Sequence, residues 1–416
     1  MKTIWGENPD TAHVLPEYPR PQLIRNSYLN LNGLWSYAIT GDDTPPEVFE
    51  GQILVPFSPE SPLSGVERTV GPDDRLWYRR TFTLPAGFNR GRVFLNFDAV
   101  DQYAEVYING VKACEHMGGY LPFSAEITPL LQKENTLIVL VRDWTDTSYH
   151  ARGKQKIKRG GIWYTPQSGI WQTVWLESTP ERYIRALTVT PVFETRELEL
   201  TVHSDTDAVC TVMLAEREAF VRTNAPTRIA VPEVRPWTPE TPHLCAFVVK
   251  MYADKVGSYF AMRRVEVRAD DAGVPRLHLN GRPYFQTGLL DQGYWPDGLY
   301  TPPSDAAMEA DIRAAKDLGF NMLRKHIKIE PLRWYYHCDR LGMLVWQDMV
   351  CGGGKYGFAA AQLPAVTGAH LQDKYYRLFG RQSRAGREEY ERELNETVRT
   401  LYNCPCIAVW VPFNEG

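Results

Sequence analysis

No stretch of this sequence is apolar for long enough to span a bilayer as a helix, which takes about 20 such residues. The opening MKTIWGENPDTAHVLPEYPRP lacks the apolar core of a secretory signal. Cysteine is sparse: Cys114, Cys210, Cys245, Cys338, Cys351, Cys404 and Cys406 are odd in number and scattered. That pattern suits reduced, buried thiols and argues against a disulfide framework. The NCPC pair has no second ligand pair beside it, so zinc is not indicated. Formal net charge is only −4, without the basic surplus that would attract nucleic acid or an anionic membrane. The basic run ARGKQKIKRGG is the local exception and reads as a solvated loop. These absences lead us to expect a cytoplasmic chain with neither a membrane nor a nucleic-acid partner.

What the chain does have is 416 residues at 44% hydrophobic content, enough for several domains with cores of their own. The first part reads as all-β. DRLWYRRTFTL, RVFLNFDAV, AEVYING, NTLIVLVRDW and WQTVWLES are short runs rich in β-branched and aromatic residues, broken by turn signals. Asn109-Gly110 marks a tight hairpin, because both residues tolerate positive φ. A sandwich or jelly roll over residues 1–181 is the natural packing. Over 182–271 the runs YIRALTVTPV, ELELTVHS, LCAFVVKMY and YFAMRRVEVRA suggest a second, smaller sandwich. The Pro-rich RPWTPETPHL between them cannot be a central strand.

From residue 272 the period changes. RLHLNGRPYFQTG reads as a hairpin leading into a strand. A helix follows in SDAAMEADIRAAKDLGF, with Ser304 as cap, Asp305 at its N-terminus, and Met308, Ile312, Ala315 and Leu318 on one face. Strand NMLRKHI precedes helix EPLRWYYHCDRLG, where Pro331 suits the first helical position and Gly342 the stop. Strand MLVWQDM, a long Gly/Ala-rich loop, helix REEYERELNETVRTLYN and strand CIAVWVPFNE complete the series. Strand–helix alternation of this kind marks a parallel sheet. A complete (β/α)₈ barrel takes about 250 residues, and roughly 140 are present, so we expect the first half of such a barrel. A doubly wound open sheet is the alternative, but no Gly-rich phosphate loop follows the first strand.

In barrels the reactive groups lie at the C-terminal strand ends. Those ends carry Asp291; then Arg324, His326 and Lys328, spaced by two and so able to share one strand face; then Trp346 and Asp348; then Trp410, Asn414 and Glu415. Aromatic rings stack on pyranose faces while charged and amide groups hold hydroxyls, so such a rim suits a sugar. Each residue also has a structural reading: His326 as a satisfied core histidine, Arg324 with Asp348 as an ion pair. For Glu415 the alternative is a surface-exposed strand end.

Nearly the whole chain resembles glycoside hydrolase family 2, the β-galactosidase, β-glucuronidase and β-mannosidase group. LNGLWSY, LWYRRTFTLP, DAVDQYAEVYINGVKACEHMGGYLPFSAEIT and SGIWQTVWLE resemble its N-terminal sugar-binding domain. PWTPETPHL resembles its immunoglobulin-like middle domain, and LHLNGRPYFQTG its approach to the barrel. LGFNMLRKHIKIEP and NCPCIAVWVPFNEG lie where its two signatures lie. The resemblance implies a retaining exo-β-glycosidase, foremost of β-galactosidase type, with β-mannosidase or β-glucuronidase activity as the alternative. It implies that Glu415 is the acid/base, that Asn414 holds the 2-hydroxyl and that Arg324 orients the carboxylates. A nucleophilic glutamate about 5–5.5 Å from the acid/base is also implied; in the family it sits on a later strand, beyond Gly416, so this chain would be inactive alone. Asp291 or Asp348 standing in for it is a further option. After Arg324 the family's Ser-His-Tyr-Pro is here replaced by His326, Ile327, Lys328 and Ile329, so Lys328 could face an acidic sugar. Trp346 and Asp348 in LVWQDM resemble the β-mannosidase branch. Trp163 and Gln167 of GIWYTPQSGIW are candidates to reach the barrel mouth from the first domain. No cofactor is required, although some members use Mg²⁺ or Na⁺, and many are oligomeric, so a homo-oligomer is in view. A carbohydrate-binding protein without catalysis is the reading from another class.

Overall fold

The computed structural model describes residues 2–355, 360, 364, 366–368, 370–372 and 374–414. Its N-terminal part is two antiparallel sheets packed face to face. One orders Tyr28–Asn30, Val174–Thr179, Arg92–Phe97 and Phe123–Glu126 across the sheet. The other orders Gly51–Val55, Gly33–Thr40, Arg75–Phe82, Asn135–Arg142, Tyr103–Ile108 and Val111–Met117. Alternation explains the packing. In Tyr103–Ile108 every second residue is buried, and the inward set meets Trp35, Tyr78, Leu95, Phe97 and Val139 in one core. Asn109 (φ 52°) and Gly110 (φ 82°) turn the hairpin as the sequence requires.

The second sandwich pairs a sheet of Ala186–Val192, Glu197–His203 and Thr227–Ala230 with one of Arg217–Arg222, Val209–Leu214, Cys245–Met251 and Asp254–Phe260. The expected single strand YFAMRRVEVRA is in fact two. Asp254–Phe260 ends in the sandwich, while Val265–Ala269 pairs with the hairpin Pro275–Leu279 and Arg282–Pro283. Arg25 ties the two sandwiches together: its buried guanidinium binds Glu177 of the first at 3.0 Å and Asp254 of the second at 2.9 Å.

The remaining part is a four-stranded parallel sheet in simple order: Gly288–Asp291, Met322–Lys325, Leu344–Asp348 and Ile407–Val411. Helices Asp305–Asp317, Leu332–Leu341 and Arg384–Leu401 lie between successive strands. Ser304 caps the first by accepting from Ala307 N. Its buried face is Ala307, Met308, Ile312 and Ala315; Leu318 was expected there but lies past the helix end and is 75% exposed. Pro331 is the N-cap of the second helix and not its first helical residue, and Gly342 closes that helix with φ 75°.

The two sandwiches grip opposite ends of this sheet. The second holds the end where strands begin: Trp237 packs with Leu344, Met322 and Ala408, and Tyr259 donates to the buried Asp339 carboxylate, which also accepts from Cys406 N. The first holds the end where strands finish. Arg152 N and Gly153 N both donate to Cys351 O at 2.9 Å, and Gly353 N donates to Tyr149 O. The run ARGKQKIKRGG is therefore only partly solvated: Arg152 and Lys154 are buried in this junction, while Lys158 and Arg159 are exposed.

Candidate active site

The side chains at the finishing ends of the strands sort by pleat. Arg324 is opposite Trp346 in the parallel ladder, so Arg324, Trp346 and Asp348 share one face. Asp348 is fully enclosed. Arg324 grips it with a fork, Nε to Oδ1 at 2.9 Å and Nη2 to Oδ2 at 3.0 Å, and His326 Nδ1 lies 3.0 Å from the same Oδ2. Two parallel N–H bonds fix the plane of the guanidinium as well as its position. Arg324 Nη2 then donates to Asn414 Oδ1 at 3.1 Å. One guanidinium thus links the second, third and fourth strand ends, and its side chain remains 32% exposed while that of Asp348 is 0% exposed. The Asp348 carboxylate acts as a buried anchor; Arg324 and Asn414 form the part a ligand can meet. Arg324 with Asp348 is the ion pair anticipated as the structural alternative, and it is also what aims Arg324 at Asn414.

Three further groups complete the surroundings. Trp346 Nε1 donates to Gln286 Oε1 at 2.6 Å, which sets the indole edge. Cys351 Sγ donates to Asn414 O at 3.7 Å, and burial pushes its thiol pKa up, so it stays protonated and keeps this role. Sequence reasoning overlooked both: Gln286 lies inside a run read only as strand, and Cys351 looked like one more inert thiol. Met349 N also donates to Val411 O at 2.9 Å, which holds the fourth strand end to the third.

Other expectations need correction. Arg324, His326 and Lys328 do not share a strand face. The strand ends at Lys325 and Ile327 takes φ 43°, which breaks the two-residue period. Lys328 turns into the interior, where its ammonium donates to Gly293 O, Tyr300 O and Glu330 and lies 4.8 Å from the Tyr300 ring centre. Burial pulls its pKa down to about 8. It faces no sugar. Asp291 also leaves the rim cluster: it pairs with Lys325 at 2.8 Å on the helix-facing side. Gln167 is fully buried, accepting from Tyr300 N at 2.7 Å while its own N–H donates to Gln155 Oε1. Trp163 is flanked by the ammonium groups of Lys154 and Lys156 at 5.5 and 4.6 Å. The first domain does reach the strand ends, but through their neighbour Tyr164. Its ring stacks on Tyr294 at 3.9 Å and its hydroxyl donates to Gln292 Oε1 at 2.5 Å. Glu415 lies outside the described residues.

A family model described as "Glycosyl hydrolases family 2, sugar binding domain" matches residues 64–180. Over those residues the chain matches the sugar-binding domain of that family. Relatives of the chain bear two activity names. A Thermoanaerobacter pseudethanolicus β-galactosidase is 24% identical over 82% of this chain and 44% of its own length. The β-glucuronidase of Canis lupus familiaris is 25% identical over 96% of this chain and 65% of its own. The chain therefore spans between about two fifths and two thirds of these relatives. In fold, the Ruminococcus gnavus β-glucuronidase structure is similar with a TM-score of 0.75 at 19% identity, over 95% of this chain and 69% of that one. Among the described residues no three His, Cys, Asp or Glu side chains are grouped to hold a metal ion.

Proposed function

We propose that this chain forms the sugar-binding, middle and first catalytic portions of a retaining exo-β-glycosidase that acts on terminal β-galactosides or β-glucuronides. On this reading the parallel sheet is the first half of a (β/α)₈ barrel and the middle sandwich is immunoglobulin-like. The single observation that carries it is the Arg324 guanidinium, locked by Asp348 and bonded to Asn414, with an acid next in sequence. Glu415 protonates the departing glycosidic oxygen and then deprotonates water. Asn414, held through its Oδ1 by Arg324, donates its amide N–H to the 2-hydroxyl, a bond that strengthens as oxocarbenium character grows. Arg324 supplies positive charge beside the carboxylates. The His326 ring meets the Asp348 carboxylate, so it is a positioning residue.

Retention requires a second carboxylate about 5–5.5 Å from the first. Neither Asp348, engaged by Arg324 and His326, nor Asp291, engaged by Lys325, is presented for attack; the nucleophile belongs to residues other than these. The test is a panel of nitrophenyl β-galactoside, β-glucuronide and β-mannoside on a chain as long as the relatives. Glu415→Gln should reduce turnover of poor leaving groups by about 10²–10⁴-fold and activated aryl glycosides far less. Equal losses on both would remove the acid role, and sugar binding without any turnover would favour a non-catalytic carbohydrate-binding protein.

A further inference from the structure

We propose that the cavity beside Phe413 is a subsite for a leaving group that carries both a ring and a negative charge. The inference deepens the glycosidase reading and rests on it. Residues 374–387, KYYRLFGRQSRAGR, hold Lys374, Arg377, Arg381, Arg384 and Arg387 and no acid, in a chain whose net charge is −4. Three of these cations, Lys374, Arg381 and Arg387, line a cavity of about 610 Å³. Its other walls are the rings of Tyr376, Phe379, Tyr390 and Phe413. Arg384 spends its charge on Glu388 at 2.8 Å. The three lining cations have no carboxylate partner among the described residues: Arg387 Nη1 donates only to the neutral carbonyls of Arg381 and Gln382. Arg381 lies 5.0 Å from the Tyr390 ring centre and Arg387 4.3 Å from that of Tyr376. Cation–π contact orients such groups but leaves their charge uncompensated, so an anion in the cavity would meet three cations with no carboxylate competitor among the described residues.

The cavity adjoins the proposed reaction centre. Phe413 stacks on Tyr390 at 5.6 Å with ring planes 13° apart, and the Tyr390 hydroxyl donates to Pro412 O. The next residue, Asn414, turns to Arg324. Neighbouring residues thus serve two compartments, a polar one for the cleaved sugar and an aromatic, cationic one for what departs. The loop that carries Arg381 is anchored to the third strand end by Gly354 N donating to Gly380 O at 2.7 Å. Ring faces stack on a flat or pyranose group, and the cations select a carboxylate or sulfate on it.

The experiment pairs 4-carboxyphenyl with the isosteric, neutral 4-carbamoylphenyl aglycone on the same sugar, as β-galactosides and as β-glucuronides. Affinity is measured by calorimetry on this 416-residue chain at low and high salt. We expect the acidic aglycone to bind tighter, on the order of fivefold to tenfold, with the preference falling as salt rises. It should vanish in Lys374→Gln/Arg381→Gln and persist in Glu415→Gln. Equal affinities on the unaltered protein would overturn the proposal without any variant, as would binding of neither glycoside or a preference that survives the double substitution. Charge preference without hydrolysis in a longer chain would fault the glycosidase reading alone, and hydrolysis without charge preference would fault the subsite alone.

Discussion

Arg324 and Lys325 are neighbours in one strand, yet they serve different charge clusters. Arg324 faces Asp348, His326 and Asn414 at the open rim. Lys325 faces the helices, where it pairs with Asp291 and Glu330 at 2.8 Å each and lies 4.2 Å from the Trp334 ring centre, with Lys328 completing the group. Burial is the largest influence on the Lys325 ammonium and favours loss of its proton, but Asp291 and Glu330 together outweigh it and hold its pKa above the ordinary value. The rim cluster keeps one cation partly open to a ligand; the helix-facing cluster closes on itself. What separates a site from a staple here is the completeness of pairing, since both contain two basic groups around buried acids.

The comparison breaks most sharply at Asp348. Asp348→Ala strands Arg324 and His326 without their acceptor, so urea unfolding should show a loss of about 3–5 kcal/mol. In an active, longer chain we expect kcat/KM to fall at least a hundredfold, on the order of what loss of an oriented charge costs. Glu330→Gln comes next. It leaves Lys325 and Lys328 buried with only Asp291 between them, and stability should drop by about 2–4 kcal/mol, while turnover per folded molecule stays within about threefold. A rate defect as deep as that of Asp348→Ala would mean the two clusters are one.

Titration sharpens the contrast. The Lys328 pKa is lowered in the fold, from 10.5 to about 8. Between those values the unfolded chain binds the proton and the folded chain does not, so this group adds stability as pH rises from 8 to 10.5. Lys328→Met removes that gain. The variant's melting temperature relative to the natural protein should therefore fall across the window, and a constant difference would contradict the buried, lowered ammonium. The smallest effect is expected at Tyr164→Phe, which keeps the stack on Tyr294 and loses one hydrogen bond to Gln292. A partly exposed bond is worth about 0.5–1 kcal/mol, read as a small drop in melting temperature.

Much of this was legible from residue order. The β runs of the first sandwich, the Ser304-capped helix and the four parallel strands follow from period and turn chemistry, and Arg324, Asp348 and Asn414 follow from their places at strand ends. The hairpin Val209–Leu214 to Arg217–Arg222 was not legible, because its turn residues Ala215 and Glu216 adopt φ of 46° and 65° without the Asn-Gly that signals such a turn. Lys328 misled for a related reason: alternation predicts facing only while the strand lasts, and this one ends at Lys325, with Ile327 at φ 43° beyond it. Asp291 lies opposite Lys325 in the ladder, not opposite Arg324, and so faces the helices. Gln167 illustrates a third limit. A polar residue beside an aromatic run reads as a ligand contact, yet burial made it a bridge to Tyr300 N.

The main-chain seam between residues 149–153 and Cys351–Gly353 has a practical corollary for anyone screening variants. Cys351 also steadies Asn414, so a lesion in the sugar-binding module can propagate across the seam and displace Asn414. Swapping that module for another of the same architecture would preserve the placement of Asn414 only if the donor's loop met the same carbonyl.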